Sequence, residues 1–216
     1  MKKVIKKLCL FTAIVVLLPV AIGCSDDDEK DNSAYEQEQY NKFVPSEIGE
    51  TINQLGLEIY RGTNPPDVSG YYLIELLPSV GKLVNDSKIK LYDYSKAELK
   101  ISLLGYEVKT GTDELLAVHT ASDAFITGEG DKFTIFFEED SYEGIPAITL
   151  TILSGELDRD EDGGIKGIKD VQYALIMKDN KNNVTLIKNN IVNGWGQLFK
   201  DGHVDVISQE KFETNN

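Results

Sequence analysis

The residues best suited to hold a metal ion lie in one acidic segment that ends in glycines, residues 158–164 (DRDEDGG). Asp158, Asp160 and Asp162 alternate along it, which is the spacing that turns successive carboxylates inward in calcium-binding loops. The position at which such a loop carries its closing bidentate glutamate is occupied by Lys169. An acidic hairpin turn between two strands would look the same, so we expect no cofactor unless these three aspartates bind calcium.

Aromatic side chains offer a second kind of site, a platform on which a sugar ring could stack. The candidates are Trp195, Tyr71 and Tyr72. Glycines on both sides of the tryptophan could leave its indole exposed in a loop, or let it fold back onto the protein. Aromatic residues at strand spacing also pack in cores and form cross-strand pairs. A site for a glycan or another small ligand is therefore a hypothesis beside an ordinary structural role.

Catalytic motifs are scarce in this chain. His119 lies in an alternating segment that predicts an ordinary sheet residue, and His203 follows a glycine in a predicted turn. No serine stands in the Gly-x-Ser-x-Gly turn of nucleophilic hydrolases. Paired carboxylates of the glycosidase type stay open, because the chain carries 36 acidic residues. We expect a protein that is not an enzyme, with a carboxylate-based hydrolase as an alternative.

Most of the chain alternates apolar and polar residues with the period of two that is typical of antiparallel sheets. The clearest strand segments are residues 71–77, 100–103, 133–137, 148–152 and 171–177. A helical spacing of apolar residues occurs between Ser46 and Gly56. About eight or nine strands in meander order predict an all-β, antiparallel barrel with one short N-terminal helix, or alternatively a β-sandwich, because both protect sheet edges.

Residues 1–23 have the composition of a removable secretory signal. Lysines precede an apolar stretch over residues 8–22, which at about 1.5 Å per residue is too short to cross about 30 Å of hydrocarbon. Residues 21–24 (AIGC) resemble the lipobox of bacterial lipoproteins. The resemblance implies that Cys24 carries lipid at the mature N-terminus and that a membrane is one partner of the protein.

A dense acidic run follows the lipobox and cannot bury itself, so residues 24–45 are predicted to form a flexible tether before a single β domain over residues 46–216. The run consists of Ser25, Asp26, Asp27, Asp28 and Glu29. It resembles the acidic export signal of surface lipoproteins in Bacteroidota. That resemblance implies a position on the outer face of the outer membrane, with the periplasmic leaflet as the alternative.

The charge of the mature chain excludes one class of partner. The signal removes four of the 22 basic residues and none of the 36 acidic ones, so the mature net charge is 18 − 36 = −18. Such a surface repels nucleic acid phosphates, and we expect no nucleic acid partner.

Several segments resemble a group of uncharacterised Bacteroides lipoproteins with lipocalin-like barrels, and the resemblance spans most of residues 50–205. These segments are residues 61–72, 153–155, 167–174, 194–196 and 199–202. The resemblance implies a lipocalin-like β-barrel with a surface or periplasmic address, and it carries over no activity. Lipocalins have Gly-x-Trp on the first strand, where this chain has Gly70-Tyr71-Tyr72. This departure argues against an open hydrophobic cup, since side chains can fill a barrel of this size.

These observations together predict a surface-anchored lipoprotein that acts as a non-catalytic binding or accessory module. Its ligand would be a glycan or another small molecule. A protein–protein interaction module of a surface complex and a carboxylate-based hydrolase are the alternatives.

Overall fold

The computed structural model describes residues 32–75, 85–112 and 114–214. The predicted signal, Cys24 and the acidic run from Ser25 to Glu29 lie outside the described residues. In the described part of the chain, no helix is long and apolar enough to span a membrane.

The described chain contains nine strands and four helices. In chain order they are α1 (Ser33–Phe43), α2 (Ser46–Leu55), β1 (Thr63–Asn64), β2 (Gly70–Ile74), β3 (Asp86–Ser95), β4 (Lys100–Val108), β5 (Leu115–Glu129), β6 (Lys132–Tyr142), β7 (Ile145–Arg159), β8 (Ile165–Asp179), α3 (Val184–Lys188), β9 (Gly196–Val206) and α4 (Gln209–Glu213).

The strands β2 to β9 close into an antiparallel barrel. Neighbours follow the order β5-β4-β3-β2-β9-β8-β7-β6, and β6 pairs with β5 to complete the ring. The short β1 adds a parallel pairing to β5. The prediction of an all-β, lipocalin-like antiparallel barrel is confirmed. The β-sandwich alternative is wrong, because the strands form one closed ring instead of two packed sheets.

The ring closes along only part of its height. β5 and β6 pair between Phe125–Phe136 and Glu129–Lys132. Residues 115–124 of β5 pair with β4 alone, and residues 137–142 of β6 pair with β7 alone. The gap between these two segments is called the β5–β6 seam. It runs to the open end of the barrel, the end at which β4 joins β5 and β6 joins β7.

The opposite end of the barrel is filled by its own side chains. Inward positions on neighbouring strands are aliphatic or aromatic and almost fully buried, as at Ile101, Phe133, Ile135 and Leu153. Burial of each such side chain contributes about 1.5–3 kcal/mol, so this half holds much of the core's stabilising energy. The sequence-based expectation of a barrel filled by side chains is correct for this half.

Helices α1 and α2 cover the outer face of the barrel. Phe43 at the end of α1 stacks on Phe125, with ring centroids 5.9 Å apart. Ile48 and Ile52 on one face of α2 are each 3% exposed and belong to the same outer cluster. α2 ends at Gly56, which adopts the left-handed conformation that glycine favours at this position. The predicted helix is therefore present where its spacing placed it.

The flexible tether predicted for residues 24–45 is wrong from residue 33 onward. Residues 33–43 form α1, and Glu36 is 5% exposed and paired with Arg61. The composition concealed this helix, because its contacts with the barrel come from Tyr35, Tyr40, Phe43 and the buried carboxylate of Glu36, and its remaining residues are polar or small. The folded domain thus begins before residue 46.

The sequence predicted one helix, whereas the described residues form four. α3 and α4 span five residues each, which is too short for a period of 3.6 residues to show in the sequence. Asn183 caps α3 by accepting hydrogen bonds from the backbone N–H groups of Thr185 and Leu186. The connection after β8 therefore contains a helix before β9 begins.

Candidate ligand-binding cup

A cavity of about 680 Å³ occupies the open end of the barrel. We call it the cup. It is lined by residues from β3 to β9, which include Glu107, His119, Glu139, Tyr173, Gln197 and Phe199. The cup is polar, which distinguishes it from the filled half of the same barrel.

The change from apolar to polar follows the alternation along single strands. On β6 the inward positions are Ile135 and Phe137 in the filled half and Glu139 at the cup. On β4 the same alternation leads from Leu103 in the core to Glu107 at the cup. Because inward residues repeat every second position, an acid in register with a core residue must point into the barrel.

His119 lies between two glutamates at the cup. Its Nδ1 is 2.6 Å from Glu139 Oε1, and this contact spans the β5–β6 seam. Its Nε2 is 3.8 Å from Glu107 Oε2, an ion-pair distance. The other oxygen of Glu107 accepts a hydrogen bond of 2.5 Å from Asn85 Nδ2. The three ionisable groups therefore form one connected network on the wall.

These contacts change the protonation of the network. Glu107 first and Glu139 second raise the pKa of His119 to about 9, although burial acts in the opposite direction. In return, His119 is the main cause that lowers the pKa of Glu107. At neutral pH the site therefore contains an imidazolium cation held by carboxylates.

A fully buried hydroxyl group lies on the inner face of β7, outside the residues that line the cup. Thr151 pairs with Phe137 on one side and with Leu175 on the other, so its side chain faces inward with theirs. It is fully buried, and its Oγ1 has no hydrogen-bond partner in the described structure. The Tyr173 phenol is a polar neighbour but makes no hydrogen bond of normal geometry with it. A buried hydroxyl of this kind costs free energy unless something satisfies it.

Aromatic rings form part of the wall. The rings of Tyr173 and Phe199 lie 6.1 Å apart at an interplanar angle of 50°. Burial raises the pKa of Tyr173, so its phenol is neutral at physiological pH. Tyr142, 8% exposed, lines the rim of the cup. The wall can therefore hold an apolar body as well as polar groups.

No protein-family model, curated protein or solved structure matches this chain. What the cup can bind therefore follows from the groups that line it. Carboxylates and an amide can orient a ligand, and aromatic faces can hold it, which is the usual composition of a small-molecule pocket.

The aromatic candidates from the sequence do not meet in one platform. Tyr72 points into the filled core, and its hydroxyl donates to the Val68 carbonyl at 2.8 Å. Tyr71 lies on the other face of β2 and packs on Phe212, with ring centroids 5.2 Å apart. Trp195 precedes β9, whose far end pairs with β2, so it lies on the order of 30 Å from both tyrosines.

Trp195 itself packs behind the rim of the cup. Its ring meets Tyr142 edge to face, with centroids 5.8 Å apart. Its carbonyl accepts a hydrogen bond from Met177 N at 2.8 Å. The indole therefore supports a rim residue, and the glycines around it let the chain fold back onto the barrel.

The acidic segment at residues 158–164 forms the hairpin between β7 and β8. Asp160 Oδ1 accepts hydrogen bonds from the backbone N–H of Asp162 at 3.0 Å and of Gly164 at 2.6 Å. Asp158 lies 3.4 Å from His203 and 3.7 Å from Lys166. The carboxylates thus serve the turn, and the described residues contain no group of three or more His, Cys, Asp or Glu side chains placed to hold a metal.

Proposed function

We propose that this protein is a non-catalytic binding module that holds a small ligand in the cup. The observation that carries the proposal is a cavity of about 680 Å³ that is lined by carboxylates, an amide and aromatic rings. Pockets of roughly 300–1,000 Å³ are typical of small-molecule sites. The filled half below gives the wall a rigid base, and the seam gives it an opening.

The contacts of the two glutamates support binding over hydrolysis. A carboxylate-based hydrolase needs an acid catalyst, a carboxyl group whose pKa is raised. In the cup, His119 separates Glu107 from Glu139 and lowers the pKa of Glu107. That shift favours the charged form, which binds donors and cations but does not protonate a leaving group.

An interaction with another protein is the second candidate, and it has its own observation. Leu115, Leu116 and Val118 at the start of β5 are 40%, 46% and 54% exposed. They lie along the β5–β6 seam. Apolar side chains grouped at a surface are typical of protein contacts.

The cup is tested by filling it. Ala117 lines the cup and Thr120 lies on the outer face of the same strand, so Ala117→Trp and Thr120→Trp form a matched pair. The full chain is screened by thermal shift against sugars, amines and fatty acids. A ligand at 100 times its Kd adds about 2.7 kcal/mol of stability. We expect a hit whose stabilisation is lost in Ala117→Trp and kept in Thr120→Trp.

Two outcomes contradict the cup proposal. One is a hit that stabilises both variants equally, because its site is then elsewhere. The other is a panel without any hit, which favours the protein-interaction candidate.

We propose that the module is located at a membrane surface. The lipobox-like residues 21–24 and the acidic residues after them support attachment through Cys24 and display on the outer face of the outer membrane. We expect that Cys24→Ala abolishes incorporation of a fatty-acid probe in cells and releases the protein from the membrane fraction. Labelling that persists in this variant would show that Cys24 is not the attachment site.

A further inference from the structure

We propose that the ligand of the cup is a small organic cation, an amine carried on an apolar or aromatic body. This inference rests on the proposed function and names the class of ligand that the same cavity selects. It follows from the charges of the wall, from one unshared carboxylate oxygen, and from the aromatic and amide groups of the lining.

The charge of the cup is negative and has no mobile positive side chain to offset it. Its charged residues are Glu107, His119, Glu139 and Glu143, and no lysine or arginine is among the described residues that line it. With His119 protonated, three carboxylates and one imidazolium give a sum of −3 + 1 = −2. An anionic ligand would bring like charges together in a partly enclosed space, which is unfavourable.

One carboxylate oxygen is available to a ligand. Glu139 Oε1 is engaged by His119, whereas Oε2 of the same group has no protein partner in the described structure. The side chain of Glu139 is 18% exposed and is part of the lining of the cavity. A half-used carboxylate in a cavity is a strong acceptor for an ammonium group, because hydrogen bonds between charged groups are short and strong.

The aromatic wall suits the remainder of such a ligand. Tyr173 and Phe199 line the cup with their rings inclined to each other, and Tyr142 stands at its rim. A cation over an aromatic face is attracted by the ring quadrupole, and an apolar body gains by burial against the same rings. Carboxylate and aromatic faces together therefore prefer a cation with an apolar body to a bare metal ion.

The polar part of the wall includes a neutral amide as well as acids. Gln197 lines the same cavity as the carboxylates, and its side chain can donate to or accept from a ligand. The site is therefore a cavity with charged, neutral polar and aromatic groups in its wall and not only a group of acids.

The test uses three probes that differ mainly in charge: tyramine, the neutral alcohol tyrosol, and the anion 4-hydroxyphenylacetate. Binding to the full chain is measured by calorimetry at neutral pH. We expect tyramine to bind at least about tenfold more tightly than tyrosol, which is 1.4 kcal/mol, and the anion to bind more weakly than either. Added salt should reduce the preference for tyramine.

A matched pair of variants locates the preference. Glu139→Gln removes the charge that faces the cup, and Glu138→Gln removes the neighbouring charge on the outer face of the same strand. We expect Glu139→Gln to abolish the preference for tyramine over tyrosol and Glu138→Gln to keep it. Because Glu139→Gln also alters the His119 contact, its folding is checked by its melting curve, and Glu143→Gln serves as a second variant that should weaken the preference.

The cation proposal is overturned if the three probes bind equally, if the anion binds most tightly, or if none binds at up to about 10 mM. It is also overturned if the preference for tyramine over tyrosol is unchanged in both Glu139→Gln and Glu143→Gln. The proposed function is judged separately, because a sugar or a neutral hit that is lost in Ala117→Trp keeps the cup as a binding site while the cation proposal fails.

Discussion

Replacing Gly128 by alanine is expected to lower the free energy of unfolding by about 4 kcal/mol, or to prevent folding altogether. Gly128 lies in the short ladder that closes the barrel between β5 and β6, and its φ is +154°. A Cβ atom there would lie 2.1 Å from the Lys132 carbonyl oxygen and 2.8 Å from Phe133 Cα. Both are backbone atoms that can move only if the ladder itself is disrupted. Chemical denaturation is the measurement.

Gly130→Ala, in the turn that directly follows β5, is the matched control. Gly130 also has a positive φ, +64°, but an added Cβ would have no atom within 4 Å. Its cost is therefore limited to left-handed strain of about 1–2 kcal/mol. Equal losses for the two variants would mean that the close packing at Gly128 is unimportant for closing the ring.

Replacing Arg61 by methionine is expected to cost about 3 kcal/mol, because it leaves a buried carboxylate without its cation. Arg61 Nε donates to Glu36 Oε1 at 2.9 Å, and its NH2 group contacts the other oxygen. The guanidinium also lies 4.0 Å from the centre of the Tyr40 ring. Thr127 alone would still donate to Glu36, at 2.8 Å. We expect the loss in a denaturant titration, with α1 more accessible to protease.

Two further variants separate the buried pair from a general effect of charge. Glu38→Gln changes an exposed acid on the same helix and should shift stability by less than about 0.5 kcal/mol. The double variant Arg61→Met with Glu36→Gln should be more stable than Arg61→Met alone, since no unpaired charge is left buried. If Arg61→Met alone changes stability as little as Glu38→Gln does, the pair of Arg61 and Glu36 does not attach α1 to the barrel.

The strand pattern predicted the barrel because successive side chains of a strand alternate between the two faces of a sheet. Residues 148–152 lie in β7 and residues 133–137 in β6, as their period of two indicated. The helix α1 was missed for a physical reason. Its attachment depends on Glu36, whose partners Arg61 and Thr127 are far along the chain, and no local pattern reveals such a pairing.

The site was harder to predict than the fold. A tyrosine pair gives no sign of which member points inward, and the barrel put Tyr72 in the core and Tyr71 outside. His119 was assigned an ordinary role, because Glu107 and Glu139 come from other strands. One signal was present: a single further step of alternation, two residues on from Phe137, leads to Glu139, which marks an acid on an inward position.

The incomplete ladder between β5 and β6 gives the barrel two mechanically different halves. In the filled half, from Phe125 and Phe136 to the β5–β6 turn, every strand is paired on both sides, so backbone hydrogen bonds fix the circumference. At the cup, β5 and β6 have no backbone pairing with each other and are joined by the side chains of His119 and Glu139. These two strands can therefore separate at the cup without loss of a backbone hydrogen bond between them. The cup can thus adjust its diameter to its contents while the core beneath it stays unchanged.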